Sequence, residues 1–125
     1  MKLLVSVCCS ALALAGCGTA VQFAATSPSP HPYVPRSPEE VALIASGTPE
    51  RAYAELGILQ ARQESRFSTH SLADVLHEMR TRAGAIGCDA VIIQGRADGV
   101  DGDRHGTFTL DGVYGTCIVW LDNNS

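Results

Sequence analysis

The chain has 125 residues, of which 46% are hydrophobic, and a formal net charge of −4. This length and composition are average for a globular protein and allow at most one compact domain. The nine Lys and Arg residues form no cluster and are outnumbered by thirteen Asp and Glu. Nucleic-acid-binding proteins carry a basic surface that this chain lacks, and so we expect no nucleic-acid partner.

The first sixteen residues have the features of a secretory signal peptide. Lys2 supplies a positive charge, and residues 3–15 form an apolar run that is too short to span a bilayer as a helix. The run ends in Leu14-Ala15-Gly16-Cys17, which resembles the lipobox of bacterial lipoproteins. This resemblance implies cleavage before Cys17 and a diacylglyceryl thioether on its sulfur. The alternative is an ordinary secretory signal, cleaved after residue 13 or 15, which leaves Cys17 unmodified.

A lipid on Cys17 sets the expected location of the protein. Several acyl chains that each gain about 0.8 kcal/mol per buried methylene make a stable anchor, so the lipid bilayer is the first expected partner. Gly18 follows the cysteine, whereas the retention signal for the inner membrane of diderm bacteria is an Asp at that position. We therefore expect a lipid-anchored protein of the bacterial cell envelope, on the outer membrane and facing the periplasm.

The segment 17–38 is predicted to be a tether between this anchor and the domain at 39–125. Residues 18–38 show no periodicity, and Ser27–Pro38 holds five of the six prolines. Proline-rich chain prefers polyproline II and forms no strand ladder. At about 3.1 Å per residue, such a tether holds a domain up to roughly 60 Å from the membrane.

Hydrophobic periodicity predicts the elements of the domain. A helix is expected at residues 72–86, because apolar residues recur there at a spacing of three and four positions. Ser71 and Asp74 resemble a capping box, and Gly87 suits the left-handed end of a helix. Strands are expected at Val41–Ala45, Ala52–Gln63, Ala90–Ile93, Thr107–Leu110 and Tyr114–Leu121, with the last two forming a hairpin around Asp111-Gly112. The prediction is an α+β fold in the order β-β-α-β-β-β, with one main helix packed on a small, mostly antiparallel sheet.

Two short motifs resemble a known group of domains. They are Tyr53-Ala54-Glu55-Leu56-Gly57 before the helix, and Gly87-Cys88-Asp89-Ala90-Val91-Ile92 after Ala83. The pattern resembles small bacterial envelope domains, namely the RcsF-like outer-membrane stress-sensor lipoproteins and the YbjQ-like domains once labelled heavy-metal-binding. RcsF-like proteins have four domain cysteines that form two disulfides, whereas this domain has two cysteines. The resemblance implies an α+β fold and either a stress-signalling or a metal-binding role.

Cys88 and Cys117 are the two cysteines of the domain. In an oxidising compartment the default is a structural disulfide between neighbouring strands. Two separate buried thiols, or a reactive or metal-binding cysteine, are the alternatives. A redox-active pair normally occurs as Cys-x-x-Cys at a helix N-terminus, and these two cysteines lie 29 residues apart.

Other polar groups give weaker signals. His70, His77 and His105 lack the close spacing of zinc ligands, and the loop 98–106 lacks the spacing of a calcium loop. Tyr114 and Trp120 either form a binding patch or, more simply, pack against side chains of neighbouring strands. No nucleophile, zinc or phosphate-binding motif occurs, so we expect no enzyme, no metal site and no cofactor.

The expected function is a binding, structural or stress-signalling module with an envelope protein partner; the alternative is a small-ligand or metal-binding periplasmic domain.

Overall fold

The structure is a computed structural model that describes residues 18–32, 34–65 and 67–122. In these ranges the chain forms one α-helix, a short 3-10 helix (Pro38–Glu40) and seven strands. The helix is α1 (Leu72–Ile86). The strands are β1 (Thr19–Ala25), β2 (Ala42–Ile44), β3 (Tyr53–Gln63), β4 (Ala90–Arg96), β5 (Gly99–Asp103), β6 (Gly106–Leu110) and β7 (Gly112–Trp120).

Five strands form a mixed sheet in the order β1-β3-β7-β4-β2. Neighbouring strands run antiparallel except β2 and β4, which are parallel. Strands β5 and β6 form a separate antiparallel hairpin. The α+β class is confirmed, but sheet dominates the fold and the predicted strand order is wrong, because three strands precede the helix and four follow it.

Strand β1 is the first error of the sequence-based prediction. The segment 18–38 was expected to form no ladder, yet β1 pairs with β3 over its whole length, from Thr19 opposite Gln63 to Ala25 opposite Gly57. Val21 and Phe23 pack against the core on the helix side of the sheet. The intervening positions are small or polar, so the strand has a two-residue period that the neighbouring prolines mask.

The hairpin is the second error. Residues 98–106 were expected to form a polar loop, but 99–103 form β5, and β6 pairs with β5 rather than with β7. Asp111, the one residue between β6 and β7, therefore links two sheets and does not turn a hairpin. Polar side chains fix this link: Asp98 accepts a hydrogen bond from the Gly112 N–H at 2.9 Å, and Asp111 lies 2.8 Å from Arg96.

The prediction of the helix is confirmed at both ends. The Ser71 hydroxyl accepts from the Asp74 N–H, and the Asp74 carboxylate accepts from the Ser71 N–H at 2.8 Å. Gly87 ends the helix in the left-handed region with φ 94°. The apolar face of α1 packs on the sheet through Val75 and Met79, which are buried. No helix in the described ranges is long and apolar enough to cross a membrane.

The two faces of the sheet differ in what packs on them. The face toward α1 carries the main core, which includes Leu59, Val91 and Val119. The opposite face carries a smaller cluster that contains no residue of α1. One row of this opposite face crosses all five strands through Ala24, Ile58, Thr116, Ile92 and Ile44.

Candidate anchor and binding edge

Cys88 and Cys117 lie together in the core as a disulfide-capable pair. Cys117 is in β7, opposite Val91 of β4, and Cys88 lies in the turn that leads into β4. Their sulfur atoms are within bonding distance and their Cα atoms are 5.6 Å apart. Both side chains are completely buried. Because reactive cysteines are partly exposed, this burial favours a structural role.

Cys17 lies outside the described residues, but its neighbour Gly18 is firmly held. The Gly18 carbonyl accepts hydrogen bonds from the Glu64 N–H and from the Ser68 hydroxyl, both at 3.0 Å. The next residue, Thr19, pairs its hydroxyl with the His70 ring at 2.8 Å. Gly18 and Thr19, which follow the predicted lipid attachment, are therefore part of the fold rather than of a tether.

The three candidate histidines lie in different parts of the fold. His70 lies beside Thr19, His77 is on the exposed side of α1, and His105 lies in the turn between β5 and β6. In the part of the chain that the structure describes, no group of three His, Cys, Asp or Glu side chains is placed to hold a metal ion. The histidines and the cysteines therefore do not converge on one point.

The carboxylates of the predicted loop 98–106 are likewise not gathered around a common centre. Asp98 points back to the base of the hairpin, where the Gly112 N–H and the Arg96 guanidinium lower the pKa of its carboxyl. The Asp103 carboxylate accepts from the His105 N–H at 2.7 Å and so shapes the turn. Both carboxylates therefore form their contacts within the hairpin and at its base.

Tyr114 and Trp120 are separated along β7. Trp120 lies opposite Tyr53 of β3, and the Arg51 guanidinium stacks 4.8 Å from the centre of its indole ring. Tyr114 lies opposite Gln60 and remains 39% exposed. The two aromatic rings therefore belong to two ends of the strand and do not form one patch.

The segment between β1 and β2 is fastened to the helix and the sheet by residues that the sequence did not single out. The Arg36 N–H donates to the Gly84 carbonyl at 2.8 Å, and the Arg36 guanidinium lies 2.7 Å from Asp89. The His31 ring pairs with the Trp120 carbonyl at 2.9 Å. The cavity under this segment, about 50 Å³, holds water molecules at most.

Strand β1 forms an open edge of the sheet. Within the described ranges β1 pairs with β3 alone, and its sequence TAVQFAA contains no charge and no proline. A shallow groove of about 480 Å³ runs beside it, lined by both faces of the edge and by Arg82 of α1. Sequence reasoning missed this edge because it assigned the segment to a tether.

Comparisons with known proteins assign no family to the chain. No family model matches it, and no curated protein matches it. Among solved structures, the fold is similar to the crystal structure of a Francisella virulence factor, FvfA, with 14% sequence identity and a TM-score of 0.46. The similarity covers 77% of this chain and 96% of that chain. At this level the likeness carries no argument about function.

Proposed function

We propose that the protein is a lipid-anchored module of the bacterial envelope that binds an extended segment of another envelope protein along β1. The observation that carries this proposal is the open, uncharged edge of β1. The role is binding, structural or signalling, and it requires no catalytic group. The anchor is Cys17 after removal of the signal peptide, and the expected location is the periplasmic face of the outer membrane.

An open sheet edge presents a row of unpaired backbone N–H and C=O groups. Natural edge strands are usually kept short or protected by charges, prolines or bulges. The opposite edge, β2, follows this rule with only three residues, whereas β1 has seven and pairs without irregularity. At about 3.4 Å per residue, β1 offers an edge of roughly 24 Å, which is long enough for the addition of one strand.

The groove beside β1 indicates the chemistry of the partner. Phe23 and Ile58 supply apolar surface, and Ile58 is 48% exposed. The exposed Arg82 adds a positive charge at the wall of the groove. We therefore expect an extended segment with alternating apolar side chains and an acidic residue that reaches Arg82.

The two resemblances of the sequence differ in the support they receive. A stress-signalling role, as in RcsF-like lipoproteins, agrees with an anchored module that holds a protein partner. A metal-binding role, as the YbjQ-like resemblance implies, requires a cluster of ligands, and the described residues contain none. For the small-ligand alternative, the cavity under the residues between β1 and β2 is only about 50 Å³, and the larger groove beside β1 is shallow and open. The edge therefore favours the protein-binding role.

A photo-crosslinking residue at Gln22, in the middle of β1, tests this role in the full-length protein in its membrane. The matched control carries the same residue at Ala42, which is exposed on the opposite edge. We expect one adduct of discrete mass at position 22 and none at 42, with a crosslinked peptide that maps to an extended segment of one protein. Gln22→Ala combined with Arg82→Glu should reduce adduct formation from a probe at Ala24 several-fold. No adduct at 22, or equal adducts at 22 and 42, overturns the proposal.

A further inference from the structure

We propose that the end of the domain around Gly18 rests directly on the lipid surface, with the Phe67 side chain inserted between the headgroups. This inference rests on the proposed lipidation of Cys17, and it adds a second contact with the membrane and a defined orientation. The occupant of this surface is a lipid bilayer. It replaces the expectation of a domain held far from the membrane by a proline-rich tether.

The first step is the distance between the anchor and the fold. Consecutive Cα atoms are about 3.8 Å apart, so the Cα of the lipidated residue lies that close to the Cα of Gly18. Gly18 is buried, and two hydrogen bonds fix its carbonyl to the segment 64–70. Acyl chains attached to Cys17 therefore draw this end of the domain to the membrane, since no spacer separates them from it.

The second step is the exposed aromatic side chain at the same end. Phe67 is 69% exposed and lies next to Ser68, whose hydroxyl binds the Gly18 carbonyl. Its backbone N–H donates to the Ser65 hydroxyl at 3.2 Å, and the Ser68 N–H donates to the Ser65 carbonyl at 3.0 Å. A large apolar side chain in water is unfavourable, and a membrane beside it removes that surface from water.

The third step is the charge around this end, which is of mixed sign. Glu64 is exposed beside Gly18. The β5–β6 hairpin joins the sheet at the same end, because the Gln63 N–H donates to the Asp111 carbonyl at 2.9 Å, and it carries Asp101, Asp103 and the exposed Arg104. Arg62, which lies opposite Ala20 of β1, is exposed at this end as well, so carboxylates and guanidinium groups are both present and the charge does not restrict the headgroup.

The opposite end of the domain supplies an internal control. Val34 is 55% exposed and lines the cavity next to Leu56, where β1 and β3 reach their other end. Strand β1 separates this end from Gly18 by about 20 Å. If Phe67 faces the bilayer, Val34 faces the aqueous phase.

The experiment uses the full-length protein, purified from membranes and placed in vesicles of phosphatidylcholine that contain brominated acyl chains. Phe67→Cys, Thr69→Cys and Val34→Cys each carry an environment-sensitive fluorophore. Because Cys88 and Cys117 are completely buried, the unsubstituted protein serves as the labelling blank. Thr69 is exposed in the same segment, so it keeps the test valid if substitution of Phe67 disturbs the local turn.

We expect a blue-shifted emission and quenching at positions 67 and 69 that is at least three-fold stronger than at position 34. Equal quenching at 67 and 34 in a protein whose intact mass includes the lipid overturns the orientation and leaves the anchor in place. An intact mass without lipid overturns the anchor, and the orientation with it.

Discussion

Arg36 and Asp89 join the segment between β1 and β2 to the turn that precedes β4. Their guanidinium and carboxylate groups are 2.7 Å apart, and the Asp89 side chain is only 12% exposed. The other carboxylate oxygen of Asp89 accepts a hydrogen bond from the Trp120 N–H at 2.8 Å. Asp89 also lies next to Cys88, so one short turn connects the ion pair, the end of β7 and the cysteine pair.

We expect Asp89→Asn to lower the free energy of unfolding by about 1–3 kcal/mol. The amide loses the charge that faces Arg36, whose side chain is 34% exposed, and leaves that guanidinium without its charged partner. Chemical denaturation of the purified domain measures this change. Asp122→Asn is the matched control, because Asp122 also pairs with an arginine but its side chain is 45% exposed, and surface pairs contribute about 0–1 kcal/mol. Equal effects of the two substitutions contradict the role given to Asp89.

Reduction of Cys88 and Cys117 should destabilise the domain by about 3.5 kcal/mol, since their bond closes a loop of about 30 residues in the unfolded chain. Denaturation curves with and without reductant measure the difference. The double substitution Cys88→Ala and Cys117→Ala should reproduce most of this loss and abolish the effect of the reductant. Alkylation of both thiols in the unfolded, unreduced protein shows that the bond is absent.

Gly84→Ala tests how closely the 34–40 segment packs on α1. In an open helix this substitution gains about 1 kcal/mol from helix propensity. Here a Cβ at position 84 overlaps the Arg36 carbonyl oxygen, so the backbone must shift. We expect a net loss of about 1–3 kcal/mol in the free energy of unfolding. Thr81→Ala, at an exposed position one turn earlier, should stabilise the same helix by a few tenths of a kcal/mol, and a gain at both positions contradicts the packing.

Asp98 gives the stability of the hairpin base a pH dependence. The hydrogen bond from the Gly112 N–H, followed by the Arg96 guanidinium, holds the pKa of its carboxyl below the ordinary value of 3.8. Because the folded pKa is the lower one, Asp98 stabilises the fold above pH about 4, and this contribution is lost as the pH falls through the folded pKa. Asp98→Asn should therefore flatten the decrease in stability as the pH falls below about 4. Parallel pH curves for the variant and the wild type contradict this assignment.

The sequence predicts the helix and the central strands well because their signals are local. The cap at Ser71, the end at Gly87 and the apolar run at Ala90 each depend on neighbouring residues. Strand β1 depends on a partner about forty residues away, and its alanines hide the alternation. The pairing of β6 with β5 depends on Asp98, Arg96 and Asp111, whose contacts the sequence does not display.

The candidate site divides in the same way. Cys88 and Cys117 lie beside or within apolar strand segments, and this position in the sequence predicts that both are buried. The structure brings the two residues together. The open edge of β1 is a property of the strand order, because only the arrangement of all five strands shows which edge has no neighbour. The contact between Gly18 and Ser68 likewise depends on how the whole chain folds, because the two residues are far apart in the sequence.

Lipidation of Cys17 is the central claim, and the intact mass of the protein extracted from bacterial membranes tests it most directly. We predict the mass of residues 17–125 plus a diacylglyceryl group and one amide-linked acyl chain, with all of this species in the membrane fraction. Cys17→Ser should abolish the added mass and release the protein from the membrane. A wild-type protein that begins at another residue, or that carries no lipid, contradicts the account.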